Sequence, residues 1–504
     1  MSSTLFAKKP VSLLLNEMSG RAGLRPVLGP LQLTSLGVGA IIGAGIFVVV
    51  GLVARDKAGA ATMLSFVVAG SACAFAALCY AEFASMVPVA GSAYTYAYAT
   101  LGELLAWIIG WDLLLEYGVA AASVAHGWSH YFTEFLHIFN INLPRAFTNA
   151  PFDFNPATGR FIFTGALIDL PALLITVLLT GILVIGIRES ASFNAFMVAV
   201  KLVVILLIIA IGVFYIDPQN WHPFAPYGYF GISFFGKTVF GHQAPGGEPL
   251  GMMAGAAIVF YAYIGFDSVS THAEEARNPS RDVPIGIIGS LALCTVLYIA
   301  VSAVLTGMVP YDKIDIDAPL AQAFRRVGLP WAHFMVSLGA LTGITSVLMV
   351  LMLSQPRIML AMARDGLLPA GFFGAVHPRF RTPWKSTLVT GMAAALMGSL
   401  LPLRILAELV NIGTLLAFVI VCAAVLIMRR LHPETQRPFR CPFVPLVPLL
   451  GIAFCLLLMF SLPAENWLRL FVWLVLGLVV YFAYGRHHSV LARMQDKRHG
   501  TEPA

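Results

Sequence analysis

Long apolar runs recur along this chain, parted by short polar or basic stretches. A helix that crosses a bilayer needs about 20 apolar residues. Twelve stretches reach that length, at 31–54, 62–87, 102–133, 166–187, 194–215, 249–272, 284–309, 331–356, 384–400, 404–428, 444–462 and 466–485. The third is long for a straight crossing and predicts a strong tilt. Ahead of it, Gly91-Ser92-Ala93-Tyr94-Thr95-Tyr96 reads as a turn into a short helix at the membrane surface. The connections 134–165 and 216–248 are rich in proline, glycine and aromatics, which predicts caps over one face and not separate domains. The expected fold class is an all-α integral membrane protein of twelve transmembrane helices.

Two of these spans carry glycine in matching places. The first reads Leu36-Gly37-Val38-Gly39-Ala40-Ile41-Ile42-Gly43-Ala44-Gly45-Ile46-Phe47, the second Phe260-Tyr261-Ala262-Tyr263-Ile264-Gly265-Phe266-Asp267. Unwound backbone at membrane depth persists only where protein buries it or a polar cavity borders it. Small residues at this spacing also let helices pack closely, which is the plainer explanation of the first segment. A matched pair of breaks, one in each half of a chain, is a pointer to a transporter's substrate site. The broken spans are the first and the sixth, so an odd offset sets the two halves in opposite directions. This predicts a 5+5 inverted repeat with broken helices 1 and 6. Its parts are a tail over 1–30, a first unit over 31–215, a loop over 216–248, a second unit over 249–428, an appended pair over 444–485 and a tail over 486–504.

Composition agrees with a lipid environment. The chain is 59% hydrophobic and 11% charged, against roughly a quarter charged in soluble domains. Its net charge of +6 marks no nucleic-acid partner, because the basic residues are scattered through short loops. Of the 31 Lys and Arg, 20 fall on the side of the termini, ten on the other, and Lys201 lies within a span. Basic loops stay in the cytoplasm, so both termini are expected there, in a multi-pass protein of the inner (plasma) membrane. The six cysteines show no CxxC spacing and read as apolar packing residues. No cleavable signal peptide is expected, and the first span would serve as an uncleaved insertion signal.

Several residues could carry chemistry. At the first break, the amides of Ile41, Ile42, Gly43, Ala44 and Gly45 would sit at the positive end of a half-helix and suit an anionic group such as a carboxylate. At the second, carbonyls freed around Tyr261, Ala262 and Ile264 would suit an ammonium, with Phe266 as a lid. Together they describe a receptor for an α-amino acid zwitterion. Lys201 either snorkels to the cytoplasmic surface or places its ammonium where a sodium ion would otherwise sit. Burial is what lets a lysine exchange protons, a second role open to it. Glu116 and Asp112 lie one turn apart on one helix face. Such a pair resists joint ionisation, which suits a proton relay, a counter-charge for a cationic substrate, or a static ion pair. Thr345 and Ser346 offer hydroxyls that could face Lys201, although such groups usually bond back to the preceding turn. The run Glu274-Glu275-Ala276-Arg277-Asn278-Pro279 is either a charged loop or a salt-bridged inner gate.

These segments resemble the amino acid–polyamine–organocation superfamily, and within it the cationic amino acid transporter-like family in its bacterial twelve-helix form. The carriers are the two glycine-broken segments, Tyr80-Ala81-Glu82-Phe83, Gly91 to Tyr96, the Glu274 to Pro279 run, Pro356-Arg357 and Ala363-Arg364-Asp365-Gly366-Leu367-Leu368-Pro369. The resemblance implies the leucine-transporter fold and proton-coupled amino acid uptake. It implies the substrate carboxylate at Ala44 and Gly45, its amino group at Tyr261, Ala262 and Ile264, and gating at Phe266. The family's helix 5 lysine corresponds to Lys201 and its helix 3 glutamate to Glu116.

The expected activity is inward symport of a cationic or small neutral L-amino acid with protons, by alternating access. An exchanger of the same fold is the alternative. The chain carries no HExxH, no P-loop and no hydrolase elbow, so an enzyme or a primary pump is not expected. No cofactor and no metal are expected. The expected partners are an L-amino acid, protons and the lipid bilayer, with a small single-span subunit as a further candidate.

Overall fold

Leu, Val, Ile and Ala crowd the predicted spans, and in a medium without water the backbone of such runs can bond only to itself, so helices form. The computed structural model describes residues 5–10, 27–87, 89, 91–155, 160–185, 187–244, 247–316, 318–431 and 433–499. Most of the expected tail over 1–30, and the end of the tail over 486–504, therefore lie outside the described residues.

The principal helices are α1 (Pro30–Ile41), α2 (Thr62–Met86), α3 (Ala93–Thr100), α4 (Glu103–Ile138), α5 (Leu170–Ile185), α6 (Ile187–Gly212), α7 (Met252–Val259) and α8 (Pro279–Met308). They continue as α9 (Pro319–Arg326), α10 (Pro330–Arg364), α11 (Trp384–Leu400), α12 (Leu403–Leu431), α13 (Leu446–Phe460), α14 (Ala464–Val480) and α15 (Val490–His499). Among the described residues, eight helical runs are long and apolar enough to cross a membrane. Pro30–Ile41, Leu170–Ile185 and Leu446–Phe460 are shorter apolar helices. The short helix expected after Gly91 is α3, with all eight of its residues buried against the bundle.

The polarity is that of a protein in lipid. On α5, Leu174 and Leu178 are 57% and 60% exposed, and on α8 Val296 is 65% exposed. The ionisable side chains of Asp112, Glu116, Lys201 and Asp267 are buried instead. A water-soluble chain would not expose so much apolar surface while burying its charges.

The structure departs from the expected boundaries at several helix ends, α4 running to Ile138, α6 starting at Ile187 and α8 at Pro279. The expected span 331–356 runs on to Arg364, because buried Ile358, Leu360 and Met362 carry its apolar face past Pro356. The two capping loops hold small antiparallel hairpins, Phe152–Asn155 with Arg160–Phe163 and Ile232–Phe234 with Lys237–Phe240. The core sits where α10 packs along α4, and α8 along α1 and α2.

Both terminal segments lie at one end of the bundle. Lys9 N donates to Tyr98 O (3.1 Å), Glu103 N to Ala7 O (3.1 Å), and Val490 N to Asp365 O (3.0 Å). The carboxylate of Glu103 accepts from Tyr98, Tyr481 and Ser489, joining the two termini through one acid.

Candidate functional site

The first broken segment builds one wall of the site. The helix α1 ends at Ile41, whose following residue Ile42 is extended (φ −78°, ψ 102°). Helical bonding resumes with Ile46 N and Phe47 N donating to Gly43 O (3.2 and 3.3 Å), and a π-helix covers Gly45–Val49. Among the described backbone bonds outside the helices, none is donated by Gly43, Ala44 or Gly45. These are the first amides of a new helix, which have no carbonyl four residues back to bond.

The second break is its neighbour. The helix α7 tightens into a 3-10 turn over Phe260–Tyr263, Ile264 is extended, and Gly265 turns the chain at φ +116°. A methyl on Gly45 would lie 2.3 Å from the Ala262 Cβ, and one on Gly265 would lie 2.8 Å from the Ala40 Cβ. Ascending from Ala40 to Gly45 on one segment thus matches descending from Gly265 to Ala262 on the other. The breaks cross antiparallel in van der Waals contact, which requires glycine at the crossing. Tyr298 on α8 ties them together, its hydroxyl shared between Ile41 O (2.7 Å) and Ala262 O (2.9 Å).

A cavity of about 280 Å³ lies against this crossing. Its walls include Ile41, Gly43, Ala44 and Gly45 from the first break, and Tyr261 and Ile264 from the second. Ala120 and Val124 of α4, and Val347 and Leu351 of α10, face these walls. The Tyr261 hydroxyl hydrogen-bonds the Ser123 hydroxyl (2.9 Å).

The acceptor set at the second break is narrower than expected. Tyr261 O accepts from Ile264 N (3.3 Å), and Ala262 O is engaged by Tyr298. Phe266, expected as a lid, does not border this cavity in this structure; it is buried, its ring 5.0 Å from Phe418 and 6.0 Å from Tyr80.

Lys201 does not snorkel. It is fully buried, and its Nζ donates to Gly39 O (3.0 Å), Ile42 O (2.9 Å) and Ser346 Oγ (3.2 Å). The carbonyls are those that the end of α1 leaves unpaired, so the ammonium closes the break from behind. Ser346 also donates toward Gly39 O and Asn194 Oδ1. Thr345 has a different partner from the one expected. It bonds back to Leu341 O (2.7 Å) and accepts from Trp128 Nε1 (2.9 Å), pointing away from Lys201.

Asp112 and Glu116 are buried on α4, and no oxygen of either carboxylate accepts a hydrogen bond. Asp267, beside them, accepts from the Tyr117 hydroxyl. Toward the end that carries the termini, the charged run after the second break pairs with α10. Arg357 reaches Glu275 (2.7 Å) and Arg364 reaches Glu274 (3.0 Å). Tyr298, Asn194 and Ser123 escaped the sequence reading, since lone polar residues within apolar spans carry no periodic signal. No group of three or more His, Cys, Asp or Glu that could hold a metal occurs among the described residues. The six cysteines are buried and unpaired, as packing residues are.

The amino acid permease family profile matches residues 28–483. This chain belongs to that family. The permease is 46% identical to the methylthioribose transporter of Bacillus subtilis over 97% of its own length and 99% of the relative's. It is also 46% identical to the branched-chain amino acid permease BcaP of the same organism, over 97% of this chain and all of the other. A vacuolar cationic amino acid transporter of Arabidopsis thaliana is 32% identical over 97% of each chain. The similar proteins are transporters, and the permease is a multi-pass membrane protein.

Proposed function

We propose that this permease carries an L-amino acid inward with protons, by alternating access. Its twelve spans would form a 5+5 inverted repeat with both termini in the cytoplasm. The antiparallel contact of the two breaks is what an inverted pair of half-sites needs, and supports this arrangement. In this reading the amides of Gly43, Ala44 and Gly45 take the substrate carboxylate, at the start of a helix where an anion is favoured. The Ile264 carbonyl, on the opposite wall, takes the ammonium, aided by the second lone pairs of Tyr261 O and Ala262 O.

The single observation that carries the reading is the Lys201 ammonium. It sits on the Gly39 and Ile42 carbonyls, directly behind the amides that would hold substrate. A proton on Lys201 supplies all three hydrogen bonds behind the carboxylate cradle, and its loss leaves two N–H donors for three acceptors, which links protonation to binding. Asp112 and Glu116 supply further buried proton-accepting groups on α4.

The test is uptake by the purified protein in proteoliposomes. Accumulation of a labelled amino acid driven by an inward acid gradient is expected. Accumulation of methylthioribose with none of any amino acid would overturn the proposal. Uptake that requires preloaded internal substrate would replace symport with exchange.

A further inference from the structure

We infer that the side-chain compartment of this site takes small apolar amino acids and excludes cationic ones. The inference rests on the amino acid reading above and concerns the part of the cavity that the two breaks do not supply. Once the backbone of the breaks holds the carboxylate and ammonium, what remains to meet a substrate side chain is Ala120, Val124, Val347 and Leu351, with the Ile264 side chain of the second break. All five are alkyl. The cavity's one side-chain hydroxyl belongs to Tyr261, and Ser123 already engages it. No charged side chain borders the space.

A lysine or arginine substrate needs a buried counter-charge, because a lone cation in an apolar cavity loses its hydration with nothing in return. The nearest acid along α4 is Glu116, four residues before Ala120, or about 6 Å along the axis. It does not border the cavity. Its neighbour Asp112 is turned toward α12, where a methyl on Gly413 would lie 3.0 Å from Oδ1. The approach beside it is packed shut. Gln355, one turn beyond Leu351, donates to Leu114 O (2.9 Å) and lies over Gly118, so α10 and α4 meet without a gap on that side.

The wall residues divide the labour. Val347 lies against the first break, where a methyl on Gly43 would come within 2.5 Å of it, and so limits width beside the carboxylate. Ala120 is the smallest of the five and sets the depth available to a branched chain. Adding methylenes at Ala120 should therefore discriminate by substrate size rather than abolish recognition.

The experiment measures competition against a labelled substrate by the full-length protein in proteoliposomes. The panel is glycine, alanine, valine, leucine, lysine and arginine. Valine or leucine should compete at least about tenfold better than lysine or arginine, the scale on which an apolar pocket discriminates. In Ala120→Val, the ratio of glycine to leucine affinity should rise by about tenfold. Lysine or arginine competing as well as valine would overturn the inference and leave amino acid transport standing. An unchanged glycine-to-leucine ratio in Ala120→Val would overturn the assigned wall. Failure of all six to bind would instead remove the amino acid reading itself.

Discussion

At the scale of single residues, the site depends on atoms that are present and on methyl groups that are absent. Lys201 donates to two backbone carbonyls, Ile42 O and Gly39 O, the second of which Ser346 also reaches, and a buried polar group left unpaired costs about 1–3 kcal/mol. Lys201→Ala should therefore abolish accumulation driven by an acid gradient and lower thermal stability. Accumulation equal to wild type at every pH would contradict it. Gly265 combines φ +116° with a Cβ position 2.9 Å from the Ala40 carbonyl oxygen, inside the 3.4 Å at which ordinary contact begins. Gly265→Ala should cost about 1–3 kcal/mol from backbone strain, with packing added. Gly181 in α5 has nothing within 4 Å and an ordinary helical setting, so Gly181→Ala should be neutral or slightly stabilising. Comparing the two unfolding temperatures in one detergent tests the point.

At the scale of elements, the polar staples decide how the pieces hold together. Tyr298 of α8 bonds both breaks through one hydroxyl. Tyr298→Phe keeps the ring and removes the staple, so transport should fall while the protein still folds, read as a lower uptake rate with a modestly lower unfolding temperature. The 3-10 turn Ala273–Glu275 closes against α10 through Glu275 and Arg357. Burial pushes the Glu275 carboxyl above its ordinary value, and the adjacent Arg357 opposes this without cancelling it. An acid with a raised value in the closed arrangement binds its proton there more tightly than when solvated. Acidification therefore favours closure, and closure weakens as pH rises through the raised value. Amide hydrogen exchange over 271–278, corrected for the intrinsic pH effect, should show more protection at pH about 5.5 than at about 7.5. Protection that falls on acidification would refute the assignment.

At the scale of the whole molecule, the distribution of charge and apolar surface sets its place in the membrane. The bias of 20 basic residues to ten predicts that the shared end carrying Lys9 and Val490 is cytoplasmic. Reporter domains active only in the cytoplasm should work when fused to either terminus and fail when inserted in 134–165 or 216–248. A reporter active at one terminus alone would break the odd-offset argument for opposed halves. The convergence of both terminal segments on Glu103 and Asp365 already requires them to share a side.

The sequence alone was enough for the helical class, the membrane setting, the two breaks and the position of Lys201 within a span. Each is written in composition or local order: hydropathy over a run of apolar residues, glycine clusters, one charge amid Val and Ile. That the two breaks face each other was expected, but which residues meet there was not legible, since Gly45 and Ala262 touch only after more than two hundred residues of intervening chain have packed. The same holds for Tyr298, whose hydroxyl has meaning only against two carbonyls on other segments. Phe266 shows the same limit, because its place beside a break suggested a lid, while its packing against Phe418 and Tyr80, both far off in sequence, could not be read from that place. Local patterning determines which backbone must unwind, because apolar surroundings permit nothing else. Which groups then face one another, and so what the cavity can hold, is decided by long-range packing that no local pattern encodes.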